Sequence, residues 1–325
     1  MDPDGRRLIT AVDQGKLLSF LGIGDPILWE RRWREIGAAT TALNLWHPAT
    51  SCDWLWSLGL PILSLADHCL DGRRLIGLSA LPGCGKSSFG VWIEAAAQNL
   101  GRSVQVVSID DFYFPAIELD QTMQGNPWGV PRALPGSHDL ALLESTLSAW
   151  KSGAEIRLPC FDKGLRGGRG DRLGWRSCST DLLVLEGWFL GCRSGTDPTA
   201  PEEHLEQPLI PEEVAYRWKV QDMLSNYAPI WALIDQLWHL RAEDLCSPVI
   251  WRKQQEDAMR RSRGVCLDRE TLDNFIRMIL AAIPSSSLRN LNADVVIDVD
   301  PDRQLKRIHV KTDLQSSLSS DSLTG

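Results

Sequence analysis

Eight residues, Ala80-Leu81-Pro82-Gly83-Cys84-Gly85-Lys86-Ser87, constrain this chain more than any other stretch. They follow a short apolar run, Leu75-Ile76-Gly77-Leu78-Ser79, of the kind that forms a buried parallel strand. They open a segment with helical pattern that runs through Leu100. Glycines and a Lys-Ser pair at this spacing, between strand and helix, make a phosphate-binding loop, or P-loop. The composition has a physical cause. Backbone N–H groups must turn inward around the phosphates, and glycine permits that close approach. Lys86 adds a point charge at the β- and γ-phosphates. The Ser87 hydroxyl suits Mg²⁺, and the dipole of the following helix faces the anion. Ala80 replaces the usual first glycine. The expected ATP contacts are Ala80, Pro82, Gly83, Cys84, Gly85, Lys86, Ser87 and Ser88.

Around this loop the pattern alternates. Val104–Ile109 and Asp181–Glu186 read as further strands, with helical segments between strands. That alternation predicts an α/β fold, a P-loop NTPase-like domain with a mostly parallel sheet, over residues 71–311. Residues 1–70 read as an N-terminal helical extension: Leu17, Leu18, Leu21, Leu28, Trp29, Trp33 and Ile36 recur at roughly helical spacing, and Pro26, Pro48 and Pro61 punctuate it. Residues 112–139, rich in Pro and Gly, read as a long functional loop. Residues 193–211 read as a polar surface insertion. Helical pattern is expected from Pro211 to about Ile283, then late strands at Asp294–Val299 and Ile308–Val310. The Ser-rich residues 312–325 read as a flexible tail. Fourteen tryptophans stand against three tyrosines, and are expected in the core and between helices rather than against a cofactor.

The formal net charge of −8 argues against a nucleic-acid binder, since affinity for phosphate backbones comes mainly from Lys and Arg. It leaves room for a small anionic substrate held by a local cluster. Eight scattered cysteines form no C-x-x-C pair and join no His cluster, so zinc is not expected and a reducing, cytoplasmic setting is. Neither a signal peptide nor a membrane span is expected, for want of a long apolar run.

Two acids extend the reading from binding phosphate to transferring it. Ser108-Ile109-Asp110-Asp111-Phe112-Tyr113 places a carboxylate at the end of a strand near the P-loop, where ligands bind in open α/β sheets. Asp110 there is suited to accept or orient an attacking hydroxyl's proton. Glu186, at the end of the third strand, is suited to hold a Mg²⁺-bound water or the acceptor.

Ser-x-Asp-x-Phe-Tyr after a P-loop resembles the uridine kinase, phosphoribulokinase and pantothenate kinase group. Within that group the chain most resembles D-glycerate 3-kinases of the plant and cyanobacterial type. The matching pieces are Ser79–Ser88, Ser108–Pro115, Arg132–Asp139, Phe161-Asp162-Lys163, Gly168–Arg172, Leu185–Gly191 and Trp251–Glu256, in the family's order. Two features depart from the pattern: Ala133 stands where Gly is expected, and Phe275–Ser287 lacks the expected tyrosines. The resemblance implies transfer of phosphate from ATP to D-glycerate with Mg²⁺, giving 3-phosphoglycerate, a photorespiratory reaction. It implies catalytic roles for Lys86, Asp110 and Glu186, and metal contacts from Ser87 and Glu186. Arg169 and Arg172 in the Gly-rich loop are expected to grip the acceptor's carboxylate, with Arg132, His138 and Lys163 as further contacts. The basic stretch Trp251–Arg263 is, on sequence alone, a solvated helix face. Its place in the family order makes it a helical lid, with Arg252 on ATP. A kinase with another acceptor (pantothenate or a nucleoside) and a nucleotide-binding regulator without catalysis are the alternatives.

Overall fold

The computed structural model describes residues 7–36, 51–67, 72–263 and 267–311. Eight strands form two sheets among these residues: β1 (Arg74–Ala80), β2 (Val104–Ser108), β3 (Ile156–Asp162), β4 (Asp171–Cys178), β5 (Leu182–Gly187), β6 (Gln236–Ala242), β7 (Val295–Val299) and β8 (Leu305–Val310). The main sheet has the order β2-β5-β1-β6-β7-β8. All its pairings are parallel except β7 with β8. β5 is buried at every position, as expected for a strand covered on both faces. β1 lies at the centre, between β5 and β6, so the loop that leaves it sits amid the strands' carboxyl ends.

The described helices are α1 (Ala11–Phe20), α2 (Pro26–Glu35), α3 over 52–66, α4 (Lys86–Asn99), α5 (Ala116–Thr122), α6 (Leu140–Lys151), α7 (Pro211–Ser225), α8 (Ala228–Leu233), α9 (Ser247–Arg263), α10 (Arg269–Ala281) and α11 (Ser285–Arg289). Thr10 and Asp25 accept backbone N–H bonds at the starts of α1 and α2, which fixes where those helices begin. The Trp29 and Trp33 indoles both donate to Ser64 Oγ, at 2.9 and 3.1 Å, so one hydroxyl satisfies two buried rings. In the middle of α3, Leu55–Gly59 is π-helical. Gly59 is required there, because a Cβ would lie 2.4 Å from the Trp92 ring on α4. The extension thus packs directly against the helix that follows the P-loop, with Trp54, Phe89 and Trp92 in ring contact. The expected tail at 312–325 lies outside the described residues, as do Trp46, Cys69 and Cys266.

Several expectations are corrected. The helical span expected from Pro211 to Ile283 is broken by β6, which pairs with β1 itself. His239 and Arg241 disguise this strand. Burial pushes His239 down to about 3, so it sits neutral in the sheet. Arg241 is neutralised by Asp298 on β7 at 2.7 Å. The antiparallel pair β3–β4 was not expected, and it carries the Gly-rich loop at its tip. The second strand ends at Ser108, and Asp110 and Asp111 lie in a 3₁₀ turn, Ile109–Phe112. Residues 193–211 are more than a surface insertion, since Glu202 forms a buried ion pair with Arg217 of α7. Most described tryptophans are buried, but Trp175 and Trp218 are exposed.

Candidate active site

The P-loop turns at two glycines in left-handed backbone, Gly83 at φ +85° and Gly85 at φ +116°. Gly83 is also a packing site: a Cβ there would lie 2.5 Å from Trp251 Cβ on α9. Lys86 is buried and its Nζ donates to the Ala80 carbonyl at 2.6 Å and the Leu81 carbonyl at 3.3 Å. Ser87 Oγ donates to Glu186 Oε1 at 3.0 Å, joining the first turn of α4 to the end of β5. Hard oxygen donors from a hydroxyl and a carboxylate suit Mg²⁺. Cys84 is buried, which pushes its thiol up to about 11.

Asp110 shares a cavity of about 120 Å³ with Lys86, Ser87, Glu186, Arg132, Lys163 and Arg252. The Tyr113 hydroxyl donates to Asp110 Oδ1 at 2.7 Å, and Lys163 Nζ donates to Oδ2 at 2.6 Å. Burial alone would raise this carboxyl, but Lys163 and His138 outweigh it and hold it well below the usual carboxylate range. Asp111 faces the other way. It accepts from Phe161 N–H at 3.3 Å and Ser108 N–H at 3.4 Å, so it ties the turn to β3. Burial raises its carboxyl.

Arg132 and Arg252 stand over the same Phe275 ring, at 5.4 and 5.9 Å from its centre. Arg132 is held by the carbonyls of Gly168 and Arg169. Arg252 binds Gln255 and Glu256, while its buried Nε has no partner among the described residues. Phe275 was not anticipated as a site residue; it comes from α10 by packing on α9, and nothing local in the sequence marks it. Gln255 also lines the cavity, and its spacing of three from Arg252 on one helix would have revealed it.

Three expected acceptor contacts lie elsewhere. Arg169 is half exposed and pairs with Asp120 at 2.8 Å. Arg172 pairs with Asp139 at 3.1 Å and donates to the Tyr113 carbonyl, so it braces the loop behind the site. His138 is fully buried and sits behind Asp110, outside the cavity lining. Of the expected P-loop contacts, Pro82, Gly83, Lys86 and Ser87 line the cavity. In the expected lid, the side chain of Arg263 lies outside the described residues.

A turn between β7 and β8 joins these parts. Arg303, at φ +61°, donates from Nε to the Gly83 carbonyl at 2.9 Å and from a terminal nitrogen to Gln254 at 2.6 Å. Its guanidinium stacks on Trp251, and its own carbonyl accepts from the Trp54 indole at 2.8 Å.

No family model matches the chain. It is 30% identical over 211 residues to the uncharacterized kinase mug58 of Schizosaccharomyces pombe, covering 58% of this chain and 73% of that one. It is 30% identical over 245 residues to the chloroplastic D-glycerate 3-kinase of Arabidopsis thaliana, covering 71% of this chain and 51% of that one, so the match spans about half of the plant protein. The solved D-glycerate 3-kinase from Cryptococcus neoformans superimposes with a TM-score of 0.62 at 21% identity, over 77% of this chain and 96% of that one, a likeness of fold.

Proposed function

The chain belongs to the kinase family represented by mug58, and from that premise we propose that it transfers the γ-phosphoryl group of ATP to D-glycerate, giving ADP and 3-phosphoglycerate. The observation that carries the acceptor is the pair of arginines around Phe275, in the same cavity as the P-loop lysine and Asp110. A carboxylate that gives up water to enter the site needs a cation, because an unpaired desolvated charge is costly. Arg132 and Arg252 provide it, replacing Arg169 and Arg172 in that role. The printed names of the plant and cryptococcal relatives support the same acceptor.

In this reading residues 71–311 form the kinase domain, with a lid around 251–263. Lys86 swings from its two carbonyls to the β- and γ-phosphates. Ser87 and Glu186 would hold Mg²⁺, which supplies charge neutralisation on the phosphates when bound. Asp110, ionised and anchored by Tyr113 and Lys163, orients the acceptor hydroxyl and takes its proton. Arg252 and Lys163 add positive charge beside the transferring group.

The setting we propose is cytoplasmic, with a photorespiratory type of glycerate recovery as its use. Six described cysteines are free thiols, which supports a reducing compartment. No described helix is long and apolar enough to cross a membrane. The negative net charge supports small-molecule substrates over nucleic acid.

The test is ADP release measured side by side with D-glycerate, glycerol, pantothenate and uridine. D-Glycerate should be the best acceptor and glycerol, which lacks the carboxylate, very poor. Equal rates with glycerol, or a preference for uridine, would sink the glycerate assignment. A preference for pantothenate would keep the carboxylate site and change the acceptor. No release with any of the four would favour a regulator that binds nucleotide without transferring phosphate.

A further inference from the structure

Behind Asp110, away from the cavity, runs a buried polar chain with no part in the reaction as written above. Gly136 N–H donates to the Tyr227 hydroxyl at 3.0 Å, and that oxygen lies 2.7 Å from His138 Nδ1. Ser137 Oγ is 3.4 Å from the same nitrogen but directs its proton to the Leu134 carbonyl. Tyr227 is therefore the one available donor for Nδ1 among the described residues. On the other side of the ring, His138 Nε2 is buried, lacks a hydrogen-bond partner, and stands 3.8 Å from Asp110 Oδ1. Tyr113 stacks on the imidazole at 4.6 Å and Phe189 meets it edge-on at 5.8 Å, so the ring is held in place.

The two neutral tautomers are not equivalent here. With the proton on Nδ1, the buried Nε2 lone pair would face the Asp110 carboxylate, lone pair against negative charge. With the proton on Nε2, Gly136 N–H donates to Tyr227 and Tyr227 O–H donates to Nδ1, while Nε2–H presents its positive end to Asp110 Oδ1 across 3.8 Å, an electrostatic contact longer than a hydrogen bond. We propose that Tyr227 is a positioning residue for phosphoryl transfer: by donating to His138 Nδ1 it fixes the Nε2–H tautomer, and that N–H, 3.8 Å from Oδ1, favours the ionised form of the Asp110 carboxylate that Tyr113 and Lys163 hold in place. This rests on the kinase reading above.

The surrounding charges are consistent with that arrangement. Asp110 is faced by Lys163, Tyr113 and His138, with Asp111 beside it and Arg132 and Arg252 across the cavity. His138 is faced by Asp110, Lys163, Tyr113 and Tyr227. Burial pulls His138 below its ordinary range, so the ring stays neutral, and burial pushes both tyrosines up, so they stay donors. During transfer the acceptor oxygen bonds to the γ-phosphorus and the bond to the bridging oxygen breaks. Its electron pair leaves with ADP, and the acceptor's proton passes to Asp110. No proton moves to His138. In a loose transition state that proton moves late, so an ionised and well-aimed carboxylate matters more than a strong base.

Tyr227→Phe removes one oxygen and tests this. The tautomer of His138 is read by ¹⁵N NMR of the imidazole, and the acid limb of kcat/KM for the best acceptor is compared between wild type and variant. In the wild type Nε2 should carry the proton. In the variant the tautomers should mix. The acid limb should move upward by roughly one pH unit, because losing the directed N–H raises the carboxyl, while ATP affinity holds. A wild-type Nδ1–H tautomer, or superimposable acid limbs, overturns the proposal. If Tyr227→Phe fails to fold, the wild-type spectrum and the acid limb of His138→Phe, which should shift the same way, decide it. Absence of phosphoryl transfer to any acceptor would count against the kinase reading, while the imidazole spectrum still judges the tautomer.

Discussion

A 3₁₀ turn rotates by roughly 120° per residue, so the neighbours Asp110 and Asp111 leave the end of β2 in different directions. One reaches the cavity and the other braces β3. Asp110→Asn should therefore lower turnover by roughly a hundredfold or more, the usual worth of general-base catalysis, with ATP affinity retained. Asp111→Asn should instead lower the unfolding midpoint and leave steady-state rates near normal at moderate temperature. Reversed phenotypes would shift the assignment by one residue. Lys86→Ala should cost turnover more than ATP affinity, measured by initial rates and nucleotide titration. Ala133 sits at φ +81° where glycine would be at ease, and its carbonyl accepts from Trp188. Ala133→Gly should raise stability by roughly 1 kcal/mol in chemical denaturation, through relief of left-handed backbone.

At the level of elements, the legible parts were those in which strand, loop and side chain are contiguous. The P-loop after β1, the acid turn after β2 and Glu186 at the end of β5 each announce themselves within ten residues. β6 did not, because its polar residues find partners only in three dimensions: Arg241 on Asp298, and His239 neutral under burial. The Gly-rich loop was visible, but its arginines could not be aimed without knowing that α5 brings Asp120 beside Arg166 and Arg169. The same packing logic governs α7. Glu213 accepts from the Trp128 indole and pairs with Arg277 of α10 at 2.6 Å. Burial would raise its carboxyl, but Arg277, the Ile210 N–H and Trp128 hold it below the ordinary range. A carboxyl lowered in the folded state stabilises above its unfolded value, about 4.3, and that contribution is lost as pH falls through the folded value. Glu213→Gln should thus reduce stability at neutral pH, with the gap to wild type closing in acid, as read by denaturation at several pH values. Gly59→Ala should destabilise by about 1–3 kcal/mol, because the added methyl meets the Trp92 ring.

Across the whole molecule, thiol reactivity offers a global check. Unfolded protein kept from oxidation should take eight alkyl labels, one per cysteine. Native protein should leave Cys84, Cys178 and Cys192 slow, since all three are buried and their thiols are pushed up. Cys84 is the telling case, a P-loop cysteine that should stay inert at neutral pH. A reproducible shortfall of labels in unfolded, non-reduced protein would point to a disulfide.

The turn at Arg303 has a consequence for how this chain can change over time. One residue receives the indole of Trp54 from the extension, holds the Gly83 carbonyl of the P-loop, and stacks on Trp251 at the root of α9. Substitutions at these four positions share contacts, so their effects should be non-additive, and a double-mutant cycle between Trp251→Leu and Arg303→Met, which removes the guanidinium from the ring, should return a coupling of about 0.5 kcal/mol or more. Tolerated variation at one of them is then conditional on the others. A lineage that replaces the tryptophan at 54 should be found to have rebuilt the turn as well, and the two changes should be inherited together.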